Sequence, residues 1–258
     1  MSRLMCYRQR HTTLPTYSYL YNFVRSKFIN RNIYIVQDYG LYSTGSCTYT
    51  MKVLNQQYAI DMAFLEKPWK KLAYSEISKI SKKKSKWYVY DALNRLVEQR
   101  ILLKPEKVGR SLLHSLNLSS AYTQSYMGFL EEYCAWTSHI PLQIIENLRA
   151  KMPTVFFIML VTGSYAKKKQ TKTSDLDVVI ICDDTQTKKS IYAELQQEAD
   201  LSIPPVHLYV FTKAEFLEML TLQKENYGKE FVRHHFIFTG GAEYFSILKE
   251  AIDHGFKG

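Results

Sequence analysis

Residues 155–183 read VFFIMLVTGSYAKKKQTKTSDLDVVIICD. The apolar run Val155–Val161 has the form of a buried strand, ending at Thr162-Gly163-Ser164. A polar, lysine-rich loop follows, and Ser174-Asp175-Leu176-Asp177 opens a second apolar run, Val178–Cys182. Asp175 and Asp177 are two residues apart on the expected strand, so period-two alternation aims both carboxylates at one face. Adjacent carboxylates repel, and a cation between them relieves the repulsion. Mg²⁺ suits such a pair, because it takes few protein oxygens and keeps positions for water and phosphate. Gly163-Ser164 at a strand end, turning into a short helix, can offer backbone N–H groups and a hydroxyl to phosphate. The stretch predicts a nucleoside triphosphate and a metal on one sheet edge.

The full chain of 258 residues is long enough for about two domains, and 46% of it is apolar. No apolar run approaches the roughly 20 residues of a membrane span. Arg3, Arg8 and Arg10 are not followed by the continuous apolar segment of a signal peptide. A cytoplasmic protein without a membrane partner is expected. Cys6, Cys47, Cys134 and Cys182 are scattered and lack metal-ligand spacing. The net charge of +10 is uneven: +5 over residues 1–50, +8 over 51–118 and −3 over 119–258. A basic first half ahead of the Asp pair suggests a part that faces nucleic acid.

Residues 1–50 form a basic extension without a sustained period. Two readings stand side by side: a genuine extension, disordered or otherwise, or an early start codon with Met51 as the true start. Over 51–118 the pattern is regular. Tyr58, Ile60, Phe64 and Leu65 line a first helix, and Ser75 is placed to cap a short second one. Val89, Ala92, Leu93, Leu96 and Val97 fit the 3.6 period of a third helix over about 86–99. Residues 106–109 and 111–116 then form a hairpin with a Gly109 turn. The stretch resembles a winged helix-turn-helix domain of prokaryotic regulators, on Glu76-Ile77, on Val89-Tyr90-Asp91-Ala92-Leu93-Asn94-Arg95-Leu96 and on a basic wing, Lys104–Arg110. The resemblance implies DNA binding. Ser85, Lys86, Tyr88 and Tyr90 would lie near the bases, and Lys82, Lys83, Lys84, Lys107 and Arg110 would meet phosphates.

Residues 119–154 are expected to be two connecting helices, with Tyr122, Tyr126, Phe129, Tyr133 and Trp136 packing between domains. From about residue 155 to 258 the pattern is strand 155–161, strand 176–182, helix 186–199, strand 206–211, helix 213–222, a further helix within 224–234 and a last helix over about 243–254. This is a small α/β (α+β) domain with a mixed sheet.

Gly163-Ser164-Tyr165-Ala166 followed by Ser174-Asp175-Leu176-Asp177-Val178 resembles the signature of the minimal nucleotidyltransferases of the DNA polymerase β-like superfamily. The order winged helix, connecting helices, nucleotidyltransferase is similar to a class of mostly archaeal proteins, as are Gly228-Lys229-Glu230 and Gly240–Tyr244. The resemblance implies that Asp175 and Asp177 are catalytic and hold Mg²⁺ or Mn²⁺. It implies that Gly163, Ser164, Ser174 and Lys167 bind ATP or another NTP, and that an acceptor hydroxyl attacks the α-phosphate. It also implies an antitoxin-like role, with a toxin-type protein as acceptor; a homodimer is compatible with the sequence.

Two departures stand out. Where the family has Arg-Gly, this chain has Lys167-Lys168, which loses the planar fork and the glycine of the turn. The strand expected to carry a third acid reads Pro205-Val206-His207-Leu208-Tyr209-Val210. His207 could bind a metal or act as base there; Asp183 and Asp184 would cap the next helix, and Glu215 would lie within reach of the site. The alternative reading is a DNA-binding regulator whose nucleotidyltransferase domain only senses nucleotide or serves as scaffold.

Overall fold

The computed structural model describes residues 58–258. The expected extension 1–50 and residues 51–57 lie outside the described residues. The first described elements are helix α1, Tyr58–Leu65, and a two-residue strand β1, Leu72–Ala73. Helix α2, Tyr74–Ser81, and helix α3, Lys86–Glu98, follow. Strands β2, Glu106–Val108, and β3, Ser111–His114, form a hairpin. β3 also pairs with β1, giving an antiparallel sheet of order β1-β3-β2.

Local chemistry sets these ends. Ser75 does not cap α2: the helix starts at Tyr74, and the Glu76 carboxylate accepts the Ala73 N–H at 3.0 Å. The longer Glu side chain can fold back one turn to an N–H that Ser75, already inside the helix, cannot serve. Ser85 does cap α3, its hydroxyl accepting the Tyr88 N–H. Val89, Ala92, Leu93 and Leu96 are buried along one stripe of α3, as their spacing predicts.

Helices α4, Ala121–Trp136, and α5, Leu142–Ala150, come next. They are followed by β4, Ile158–Thr162, the four-residue helix α6, Gly163–Ala166, and β5, Leu176–Cys182. Helix α7, Thr185–Leu201, is capped by Asp184, whose carboxylate accepts the Thr187 N–H at 2.8 Å. Then come β6, Val206–Thr212, α8, Lys213–Thr221, and α9, Tyr227–Arg233. Strand β7, Phe236–Thr239, and helix α10, Gly241–Asp253, complete the fold.

The second sheet has the order β6-β5-β4-β7. β5 and β6 run parallel, joined by the crossover helix α7, while β4 pairs antiparallel with both β5 and β7. Central β5 is buried on both faces from Val178 onward, which explains its unbroken apolar run. Edge strand β6 alternates, with Val206, Leu208, Val210 and Thr212 inward. One face of the sheet packs on α5 and α7 through Ile145, Leu148, Ile191 and Leu195. α4 packs along α10 and β7, so both expected connecting helices contribute to the body around this sheet. α4 also meets α1: Tyr133 stacks edge-on to Tyr58, and the Tyr126 hydroxyl donates to Asp61 at 2.7 Å.

Three expectations shift. The first strand is Ile158–Thr162 rather than 155–161, and Val155 and Phe156 are exposed ahead of it. Pairing with β5 begins only at Ile158, so the apolar run outlasts the strand. The helix within 224–234 is shortened to Tyr227–Arg233, because the Asn226 side chain accepts the Lys229 N–H and starts it there. β7 is an addition: four residues form a strand because β4 offers its free edge. No helix among the described residues is long and apolar enough to cross a membrane.

Candidate active site

β4 ends on Thr162, which pairs directly with Asp177 of β5. The chain leaves β4 through Gly163, at φ 69°. A Cβ on Gly163 would fall 1.9 Å from Asp177 Oδ2. Glycine is thus required twice: for the left-handed backbone and for a carboxylate lying against that backbone. The parallel register sets His207 opposite Asp177 on the same face, with His207 Nδ1 3.7 Å from Asp177 Oδ1. The Tyr209 hydroxyl lies 3.2 Å from the same His207 nitrogen.

Burial raises the Asp177 carboxyl above its ordinary range; Asp175 and Glu230 add to that, while His207 and Lys167 oppose it. Two groups of one sign reinforcing a desolvated carboxylate make this the place where a cation is most welcome. Asp175 precedes β5 and is exposed. Ser164 and Lys167 are half-buried beside Gly163, and the Lys167 N–H donates to Gly163 O at 3.1 Å. Lys167 Nζ forms an ion pair with the Glu230 carboxylate of α9. The Thr162 hydroxyl donates to His234 O at 2.8 Å, tying the end of β4 to the end of α9.

Ser174, expected on the nucleotide, bonds within its own loop. Its hydroxyl accepts the Thr171 N–H at 2.8 Å and contacts the Thr171 hydroxyl, closing the loop before Asp175. Glu215 does not reach the site. Its carboxylate caps α8 and binds Lys188 at 2.8 Å, at the Cys182–Thr212 end of the sheet. Asp177 sits five residues down the same ladder, or about 16 Å at strand rise.

Glu230 is the group the sequence reading left without a role. Its signal was faint: an acid on a short helix beside Phe231, whose ring packs on Tyr209 of the site-bearing strand. Lys167, Asn226, Tyr227, Glu230, Arg233 and His234 line one recess of about 490 Å³. Glu225, on the same recess, is held by Arg233 through two bonds of 2.8 and 2.9 Å.

In the first half, Lys82, Lys84, Ser85, Lys86, Tyr90, Lys107 and Arg110 are all exposed. Two candidate contacts, Tyr88 and Lys83, are only partly exposed. Tyr88 is half-buried, and its hydroxyl is pushed up first by burial and then by Asp61. Lys83 Nζ lies over the Tyr88 ring, and its backbone carbonyl accepts the Ser78 hydroxyl at 2.7 Å. The helical period explains this: Tyr88 sits beside buried Val89 and Ala92, not on the outer face of Lys86 and Tyr90. Trp87, unremarked in the sequence, is exposed on that outer face.

Residues 143–234 match the family model of the nucleotidyltransferase domain. The match runs from α5 to the end of α9 and spans Gly163, Ser164, Lys167, Asp175, Asp177, His207 and Glu230. This part of the chain is therefore similar to domains that move a nucleoside monophosphate. No curated protein and no solved structure matches the chain.

Proposed function

We propose that the protein is a metal-dependent nucleotidyltransferase that moves an NMP from an NTP to an acceptor hydroxyl. The observation that carries this is the Gly163 backbone lying against Asp177 inside the stretch that matches the family. Asp175 and Asp177 suit a Mg²⁺ or Mn²⁺ ion shared with a triphosphate. Among the described residues no three His, Cys, Asp or Glu side chains gather as a closed cage, and an ion that draws its other ligands from phosphate and water needs none. Such an ion would neutralise charge on the α-phosphate during displacement. Gly163 and Ser164 would hold the outer phosphates, and Lys167 would balance their charge. Catalysis on this plan is mainly positioning and electrostatics.

The finer reading is that residues 58–118 act as a winged helix that docks the enzyme on DNA. The order of α1, β1, α2, α3 and the β2–β3 hairpin supports it, as does the exposed row Lys82, Lys84 and Lys86 at the start of α3. A toxin-type protein is the acceptor that fits this pairing of DNA and transfer, in an antitoxin-like role.

The test is to incubate the full chain with α-labelled ATP, Mg²⁺ or Mn²⁺ and cell lysate. Label that appears with wild type and disappears with Asp175→Asn/Asp177→Asn supports the transfer reading. Identical labelling with both proteins removes it and returns the regulator alternative. DNA affinity that falls with salt and weakens in Lys82→Ala/Lys84→Ala/Lys86→Ala supports the docking reading; no affinity at low salt removes it.

A further inference from the structure

The strand beside Asp177 offers His207 where a third acid is expected, and the acid that the fold does bring to the site comes from α9. Glu230 is anchored by Lys167 to the segment that leaves Gly163, and its charge reaches Asp177. It is half exposed and lines the 490 Å³ recess that Lys167, one of the triphosphate-binding candidates, also lines. The other carboxylate of that recess, Glu225, is committed to Arg233. A recess of this volume admits a side chain or a small polyol, and its walls carry both signs of charge.

We propose that this recess is the acceptor subsite and that Glu230 is the catalytic carboxylate that removes the proton of the acceptor alcohol. The inference rests on the nucleotidyl-transfer reading. The alcohol O–H gives its proton to a Glu230 oxygen. The alcohol oxygen forms a bond to the α-phosphorus, and the bond from that phosphorus to the bridging oxygen breaks. The bridging electron pair leaves with pyrophosphate.

Lys167 makes the base conditional. Without nucleotide it neutralises Glu230. A triphosphate, with about four negative charges, outcompetes a single carboxylate for the ammonium group. Once Lys167 turns to phosphate, Glu230 is left as an unpaired carboxylate whose charge reaches Asp177. It is then free to accept the proton of the alcohol.

The experiment compares wild type, Glu230→Gln, Glu230→Asp and Asp177→Asn. Binding is read with a fluorescent ATP analogue. Transfer is read from α-labelled ATP into the macromolecular and low-mass fractions of lysate, which separates a protein-borne hydroxyl from a small alcohol. Glu230→Gln is expected to bind the analogue as tightly as wild type or a few-fold tighter, since Lys167 is freed, and to transfer about 100-fold more slowly. Glu230→Asp, which keeps the carboxylate, is expected to recover part of that loss. A merely structural Glu230 would not give tighter binding with slower transfer. Transfer by Glu230→Gln within about threefold of an active wild type would overturn the inference alone. So would loss of binding as severe as in Asp177→Asn. A wild type that neither binds nor transfers takes down the transfer reading, and this inference with it.

Discussion

Two of the places where the described chain comes closer to itself than a Cβ allows serve different ends. At Gly163 the near neighbour is a carboxylate: a Cβ would lie 1.9 Å from Asp177 Oδ2. Between Gly128 of α4 and Gly241 of α10 the near neighbours are backbones: a Cβ on Gly128 would lie 2.5 Å from Ala242 N, and one on Gly241 2.6 Å from Gly128 Cα. The first contact leaves a charged group half-buried and open to a ligand. The second lets two helices touch, and the Glu132 carboxylate accepts the Gly241 N–H at 2.8 Å across it. Missing side chains make room for chemistry in one case and for packing in the other.

Alanine at each position should separate the two. Gly163→Ala strains a left-handed residue and displaces Asp177, so nucleotide affinity should fall about 100-fold or more, equivalent to about 3 kcal/mol. Gly128→Ala forces two helices apart without touching the site. Overpacking of backbone on backbone should cost about 3 kcal/mol of stability, lowering the midpoint by roughly 10 °C, with nucleotide affinity nearly kept in the folded protein. Melting curves with and without an ATP analogue read both effects. If folded Gly128→Ala loses nucleotide as completely as Gly163→Ala, the distinction between the two contacts collapses.

The sequence announced these contacts unequally. Gly163-Ser164 and Asp175-Leu176-Asp177 sit within one strand–loop–strand unit, so their meeting follows from local alternation and one turn. The stripe Val89, Ala92, Leu93 and Leu96 was legible for the same reason, since a helix period is local. Gly128 and Gly241 are more than 100 residues apart, and nothing in either helix marks the partner. β7 stayed hidden because Phe236–Thr239 is too short for a period and owes its form to the free edge of β4. The pairing of Glu230 with Lys167 was not legible, because it depends on how α9 is laid against α6, which tertiary packing decides. The half-burial of Tyr88 follows from its face of α3, next to Ala92, which only a residue-by-residue assignment of the first turn distinguishes from the face of Lys86 and Tyr90.

The packing contact carries its own titratable pair, which is the next way to sharpen the comparison. Glu131, one turn after Gly128, is fully enclosed, and burial pushes its carboxyl up to about 8. His235 Nε2 lies 3.8 Å away, and burial pushes that imidazole down to about 4. Both groups are therefore neutral near pH 7, with His235 Nδ1 bonded to Phe231 O at 2.8 Å. Between pH 4.5 and 8 the folded state holds a Glu131 proton that the unfolded chain has released, so stability falls as pH rises. His235 acts oppositely between pH 4 and 6.5, where the unfolded chain binds the extra proton. Asp61, raised by burial to about 6, adds to the Glu131 trend only up to that pH. From pH 6.5 to 8 Glu131 acts alone among these three, and about 2 kcal/mol should be lost. Glu131→Gln should flatten that decline and leave nucleotide affinity unchanged. An equally steep decline in the variant would assign the pH response to other groups.

The smallest expected effect tests the opposite substitution, a glycine added rather than removed. The nucleotidyltransferase signature that the chain resembles has a glycine where this chain has Lys168. Lys168 nonetheless adopts the backbone that a glycine would favour, at φ 55°. Its N–H donates to Tyr165 O at 3.1 Å, so the turn after α6 is built in full on a residue that resists it. Such a conformation costs a residue with a Cβ about 1 kcal/mol. Lys168→Gly removes that cost and gains freedom in the unfolded chain, which returns part of it. The net expectation is a gain of about 0.5 kcal/mol in denaturant melts. Lys168 is exposed and Lys167 is the lysine paired at the site, so nucleotide affinity should change less than twofold in the same variant. A clear loss of affinity with the expected gain in stability would mean that Lys168 holds phosphate despite its strain. The left-handed turn would then be kept to aim a charge, and the loop would join Gly163 on the chemical side of the comparison.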